Sequence, residues 1–251
     1  MKRFDDRVAL VTGGTSGIGK GVALAFAAEG ARVVLAGRRE TEGTAVVADI
    51  RRHGGQATFV ATDVARDADV RKLVDTALRS YGRLDVAVNN AGTEGVVAPI
   101  TELGEEDWAR TIDVNLKGTW LSMKHEIAAM AERGGAIVNV ASIAALAGVA
   151  GTTIYSASKG GIVAMTRTAA VEWAPKGLRI NVVSPGAVET EMFERFTGGD
   201  EQAKAEFKAA HPLGRAASVA DVADAVLWLA SDGAAFVTGH NLVIDGGYTA
   251  R

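Results

Sequence analysis

The octapeptide TGGTSGIG, Thr12 to Gly19, constrains the fold of this chain more than any other stretch. It follows RVALVTG, a short apolar run rich in β-formers that reads as a buried strand. It opens IGKGVALAFAAEGA, where apolar residues recur at helical spacing and Gly30 stands as a C-terminal stop. A strand that passes into a helix over three spaced glycines, Gly13, Gly17 and Gly19, can turn sharply and bring its backbone close to a ligand. The helix N-terminus beyond it offers free N–H groups and the positive end of a dipole, a suitable partner for a pyrophosphate. Outside this context a glycine pattern is weak evidence, since the same residues can also make a tight connection that binds nothing.

The rest of the chain repeats the alternation. RVVLAG, QATFVATD, LDVAVNNAG, AIVNVAS, LRINVVSPG and NLVIDGG read as six further strands. Between them lie helical patterns: ETEGTAVVADIRRHGG, ARDADVRKLVDTALRSYG, a stretch from Glu105 to Arg133 that forms one helix or two in tandem, and Tyr155 to Ala174. SVADVADAVLWLASD is a late helix opened by Ser218, with Asp221 at the capping-box position. Strands rich in Val, Ile and Leu, alternating with helices, predict an α/β fold: a doubly wound, seven-stranded parallel sheet in a single domain over residues 1–251. One segment, 188–215, is too long and too charged for a plain turn and is expected to form a mobile lid.

Composition narrows the function classes. Lys and Arg total 27 against 30 Asp and Glu, a net charge of −3, so the basic excess that nucleic acid requires is missing. The pairs Arg38–Arg39 and Arg51–Arg52 are too sparse for a polyanion groove. The chain has no cysteine, which rules out disulfides, thiolate catalysis and zinc–thiolate sites. His53, His125, His211 and His240 are scattered without metal-ligand spacing, so no metal site is expected. The basic start meets two aspartates before any apolar run, unlike a signal peptide, and IAALAGVAG is about half the length of a membrane span. A cytoplasmic protein is the expectation. Trp108, Trp120, Trp173 and Trp228 fall within helical patterns and are expected to pack.

Four motifs in order carry a resemblance. T-G-x-x-x-G-x-G follows the first strand, NNAG the fourth, and PG the sixth; a serine stands 13 residues before Y-x-x-x-K. From Val8 to about Tyr248 the chain resembles the short-chain dehydrogenase/reductase family. The resemblance implies a dinucleotide site in which Gly13, Ser16, Gly17, Ile18 and Gly19 hold the pyrophosphate end, Asp63 and Val64 the adenine, and Asn90, Ala91 and Gly92 the adenosine ribose side. Pro185 and Gly186 would shape the turn under the nicotinamide, and Val188 and Thr190 would bind its carboxamide.

The second strand ends LAGRRE, with Gly37 where an NAD-selecting carboxylate would usually stand and Arg38 next to it. A guanidinium can fork onto a 2′-phosphate, so NADP(H) is the expected cofactor, with NAD(H) as the other choice because the glycine turn lacks a basic residue.

Tyr155 and Lys159, at i and i+4, project from one helix face. Opposite charges about 4 Å apart at an effective dielectric near 20 interact by about 4 kcal/mol, so the ammonium is expected to lower the pKa of the phenol. The resemblance implies that Tyr155 exchanges a proton with the substrate oxygen during hydride transfer and that Ser142 hydrogen-bonds the same oxygen. It implies that Lys159 holds the nicotinamide ribose and that Asn115 supports a proton-relaying water.

Pocket walls are expected from TEGVVAP, IAALAGVAGTT, Met192, Phe193 and Phe196, which suit a small neutral ketone or secondary alcohol. A 3-oxoacyl-carrier-protein reductase, or a dinucleotide-binding regulator without turnover, are the alternative readings. The ending LVIDGGYTAR resembles family members that assemble through it, implying a homotetramer.

Overall fold

The computed structural model of the chain describes residues 2–251; Met1, the first residue of the expected 1–251 domain, lies outside the described residues. Seven strands, β1 (Val8–Thr12), β2 (Arg32–Gly37), β3 (Gln56–Ala61), β4 (Val86–Asn89), β5 (Gly135–Val140), β6 (Leu178–Pro185) and β7 (Asn241–Ile244), form one sheet in the order β3-β2-β1-β4-β5-β6-β7. Every pair is parallel. Chain order reverses between β1 and β4, which opens a crevice at their C-terminal ends.

Parallel strands need helical crossovers, and these cover both faces. Along β1, Ala9 and Val11 point into a core shared with Phe26, Val222 and Val226, from α1 (Gly17–Ala28) and α9 (Val219–Ala230). The intervening Val8 and Leu10 point the other way, against Leu73 of α3 (Asp67–Tyr81) and Met130 of α5 (Gly118–Met130). All four strand residues are fully buried or nearly so, which explains a run of apolar residues without alternation. Burying each larger side chain of this kind contributes about 1.5–3 kcal/mol. The helix α2 (Glu40–Arg52) covers the β2–β3 edge, burying Val46, Val47 and Ile50.

The stretch from Glu105 forms α4 (Glu105–Ile112), one π-helical turn at Asp113–Lys117, and then α5 without a break. The helix α6 runs Thr153–Trp173, two residues earlier at its start than the apolar pattern indicates. At α9 the capping box forms as expected: Ser218 Oγ accepts from the Asp221 amide at 3.1 Å, and the Asp221 carboxylate accepts from the Ser218 amide at 2.7 Å.

Segment 188–215 folds into two short helices, α7 (Glu191–Phe196) and α8 (Glu201–Ala209). Phe207 of α8 packs edge-on against Phe193 and Phe196 of α7, with ring centroids 6.1 and 5.3 Å away. Buried His211 ties the segment to the sheet: its Nε2 accepts from the Ala187 amide at 3.1 Å, which leaves Nδ1–H to donate to the Phe207 carbonyl at 2.7 Å. Three of the four tryptophans differ from expectation: Trp108, Trp120 and Trp228 are 52%, 49% and 40% exposed, while Trp173 packs on the core. Helical spacing places an apolar residue on a face but does not say whether that face meets this chain. No helix among the described residues is long and apolar enough to cross a membrane.

Candidate active site

Two adjoining spaces open at the C-terminal ends of the strands. The first is a groove of about 460 Å³ along the β1–β4 crevice, lined by Gly13, Ser16, Gly17, Ile18, Arg38, Asp63, Val64, Asn90, Ala91, Gly92 and Thr190. The turn after β1 and the segment after β4 are bound to each other. Thr12 Oγ1 accepts from the amides of Asn90 and Ala91 at 3.1 and 3.2 Å, and Asn90 Nδ2 donates to the carbonyls of Thr12 and Gly13 at 3.2 Å each. Packing here leaves no room for side chains on the turn. A Cβ on Gly13 would stand 2.8 Å from Asn90 Nδ2, and one on Gly19 would collide with the Gly13 carbonyl oxygen. Gly19 itself is buried beneath the turn, so of the predicted turn residues it is the one that does not line the groove.

The second space is a cavity of about 160 Å³ lined by Ser142, Tyr155 and Lys159 together with Pro185, Gly186, Val188, Thr190, Ile143, Val149, Met192, Phe193 and Phe196. Of the expected walls, Val96, Val97 and Leu146 face solvent instead, 42%, 46% and 47% exposed. Period-free loop sequence gives no facing, so which half of TEGVVAP turns inward was not readable from it.

Lys159 is almost completely buried, and its Nζ donates to the Val140 carbonyl at 2.9 Å. Burial alone pushes its ammonium down to about 8. Tyr155 is half-buried, with the Lys159 Nζ 5.7 Å from its ring centroid. The phenol pKa is raised, not lowered as expected from the neighbouring ammonium. Desolvation is the largest cause, the Ser142 hydroxyl acts the other way, and the Glu94 carboxylate adds to the rise. The expectation weighed the cation and underweighted burial, which disfavours charge on both members of the pair.

Asn115 lines neither space. It is fully buried in the π-helical turn, where its Oδ1 accepts from the Thr93 amide at 2.8 Å and its Nδ2 donates to the Thr93 carbonyl at 2.9 Å and to Ser158 Oγ at 3.1 Å. A Cβ on Gly92 would sit 3.2 Å from Asn115 Oδ1 and 3.5 Å from Lys159 Nζ, so these three residues meet at one point. A π-turn inserted in a long helix is a common device at functional sites, and here it aims Asn115 at the loop after β4.

The groove residues fit a bound dinucleotide. The first turn of α1 has no side-chain cap, so its N–H groups face the glycine turn unpartnered by a side chain. Arg38 is exposed at the groove and makes no ion pair among the described residues. Its neighbour Arg39 is engaged with Glu42 at 3.5 Å and with Glu191 of α7 at 3.7 Å. Thr15, Arg39 and Thr62 also line this groove, and Glu94 and Phe207 line the second cavity. Glu94 belongs to the expected TEGVVAP wall, whereas Thr15, Arg39, Thr62 and Phe207 are not among the expected residues. Position within the glycine turn is a usable signal for Thr15, and position just beyond the second strand for Arg39; Phe207 has none, because α8 returns to the site only through aromatic packing. No group of three or more His, Asp and Glu able to hold a metal occurs among the described residues.

A family model described as enoyl-(acyl carrier protein) reductase matches residues 13–249. The chain is 42% identical over 250 residues to a cyclohexanol dehydrogenase of Acinetobacter sp. (strain SE19), covering 99% of this chain and 97% of that one. It is 43% identical over 248 residues to a cis-4-hydroxycyclohexanecarboxylate dehydrogenase of Sinomonas cyclohexanicum, covering 98% of each. Among solved structures, levodione reductase superposes with a TM-score of 0.96 at 34% identity, covering 99% of both chains. With its parallel sheet, glycine turn and Ser–Tyr–Lys cavity, the chain belongs to the short-chain dehydrogenase/reductase family, NAD(P)(H)-using oxidoreductases that act on CH–OH groups.

Proposed function

We propose that the protein interconverts a small cyclic ketone and its secondary alcohol, preferring NADP(H) to NAD(H). The observation that carries this reading is the convergence of Ser142, Tyr155 and Lys159 on an apolar cavity contiguous with the groove. Relatives named for ring alcohols support the ring. One is named for a neutral ring alcohol and another for a carboxylated one, so substrate charge is where such relatives diverge.

When bound, a nicotinamide dinucleotide supplies the hydride for reduction or accepts it in oxidation. Gly13, Ser16, Gly17, Ile18 and the buried Gly19 beneath them would hold its pyrophosphate, with Asp63, Val64, Asn90, Ala91 and Gly92 along the adenosine half. Pro185, Gly186, Val188 and Thr190 would hold the nicotinamide end, and Lys159 its ribose. Arg38 lines the groove without an ion pair among the described residues and would suit a 2′-phosphate, which supports NADP(H).

Tyr155 holds the proton that the substrate oxygen takes in reduction, and receives it back in oxidation. Burial favours the neutral phenol, the form that reduction requires. Ser142 donates to the same oxygen as charge develops there. Asn115 fixes Thr93, and through it the loop that separates groove from cavity. Segment 188–215 acts as a lid over both spaces, since Met192 lines each of them. The reading includes assembly as a homotetramer in the cytoplasm, by likeness to the family.

Steady-state assays of cyclohexanone, cyclohexanol and an acetoacetyl thioester with NADPH/NADP+ and NADH/NAD+ test it, with Arg38→Ala alongside the wild type. Ring turnover is expected, with the substitution raising the NADPH KM about tenfold or more relative to the NADH KM. Turnover of the thioester alone, or an equal effect on both cofactors, overturns the corresponding half of the proposal.

A further inference from the structure

Among the described residues lining the substrate cavity, Glu94 is the one carboxylate. It stands where the loop after β4 is rigid: Thr93, just before it, is pinned through both backbone groups by Asn115. Just after it, Gly95 has φ +71 and packs on Thr111. Only 15% of the Glu94 side chain is exposed. Its two oxygens accept a fork from Arg195 of α7, Nε at 2.6 Å and Nη2 at 3.2 Å. Glu94 lines both the cavity and the dinucleotide groove, whereas Arg195 lines the groove alone. Of this pair, the cavity therefore meets the carboxylate and not the guanidinium.

We propose that Glu94 is a specificity-determining residue that makes the cavity select neutral ring substrates over anionic ones. This deepens the ring-ketone reading and rests on it. A carboxylate entering an apolar cavity gives up hydration and needs a cation in return. The one guanidinium nearby is already forked onto Glu94, and a second carboxylate would share a cavity of about 160 Å³ with that of Glu94. The other cation of the cavity, Lys159, is engaged at the Val140 carbonyl beside Tyr155. Removing the charge of Glu94 releases Arg195 as an anion partner, whereas removing the charge of Arg195 leaves Glu94 unbalanced. The two substitutions should thus move substrate preference in opposite directions.

The test compares wild type, Glu94→Gln and Arg195→Gln on cyclohexanone and 4-oxocyclohexanecarboxylate. The quantity read is the ratio of kcat/KM for the anionic over the neutral ketone. Glu94→Gln should raise this ratio about tenfold or more, and Arg195→Gln should lower it by a few-fold. A merely structural latch on α7 would move both variants the same way, and that result, or an unchanged ratio in both, overturns the proposal. The same ratio taken from calorimetric binding of cyclohexanecarboxylate and cyclohexanol keeps the two readings separate. Opposite shifts in binding without any ring turnover would sink the catalytic reading and leave the charge selection standing.

Discussion

The groove and the cavity are built by different means from the same sheet. The groove is made largely of backbone: the turn after β1 is pressed against the segment after β4, with side-chain space removed at Gly13 and Gly19. The cavity is made largely of side chains drawn from the loop after β4, from the ends of β5 and β6, from α6, and from α7 and α8. A backbone-built surface is fixed by what the residues lack and tolerates little change. A side-chain-built surface can be re-lined residue by residue while the sheet stays the same.

The sharpest way to break the comparison is to put a side chain into the backbone half. Gly19→Val places branched carbon against the Gly13 carbonyl and Asn90, so the turn has to move. NADPH affinity should fall roughly 100-fold in a fluorescence titration, while the circular dichroism spectrum stays native. Binding within threefold of wild type would show that the groove does not depend on backbone approach. By contrast, the opposing shifts expected at Glu94 and Arg195 are changes of preference at the side-chain half, about tenfold and a few-fold.

A smaller effect lies in the core, away from both halves. Asn89 of β4 and Asn139 of β5 are register partners, joined side chain to side chain at 3.0 Å. Asn89 also donates to Glu126 Oε2 at 2.9 Å, and Asn139 to Thr166 Oγ1 of α6 at 2.8 Å. Glu126 is fully buried, and burial pushes its carboxyl up to about 7, against the pull of the Asn89 bond. The folded state therefore binds more protons than the unfolded state between pH of about 4.5 and 7, and stability falls as pH rises through that window. Relative to Glu126→Gln, wild-type Tm should drop on the order of 5 °C between pH 5 and pH 7.5. Parallel Tm profiles would show that Glu126 is not protonated in the folded protein.

What could be read from sequence follows the same division. Strand order aside, all seven strands and the late helix with its Ser218–Asp221 cap were legible, because buried parallel strands are apolar runs and caps are local chemistry. The groove was legible for the same reason: glycines at fixed spacing state a backbone requirement. The cavity was legible in its Ser142, Tyr155 and Lys159 corner and in its Met192, Phe193 and Phe196 wall. Glu94 meets Arg195 across 101 positions of chain, and Phe207 reaches the cavity by packing on Phe193 and Phe196, relations that no local pattern encodes. The direction of the Tyr155 shift is not legible in the sequence because burial, its largest cause, is a property of the folded surroundings.

The central claim is that Tyr155 moves the proton in a ketone–alcohol interconversion at this site, and Tyr155→Phe tests it most directly. The substitution keeps the ring and removes only the hydroxyl. With cyclohexanone and NADPH the account predicts that kcat falls about 1,000-fold while the NADPH dissociation constant stays within about threefold. A kcat within tenfold of wild type, with cofactor binding intact, would contradict it.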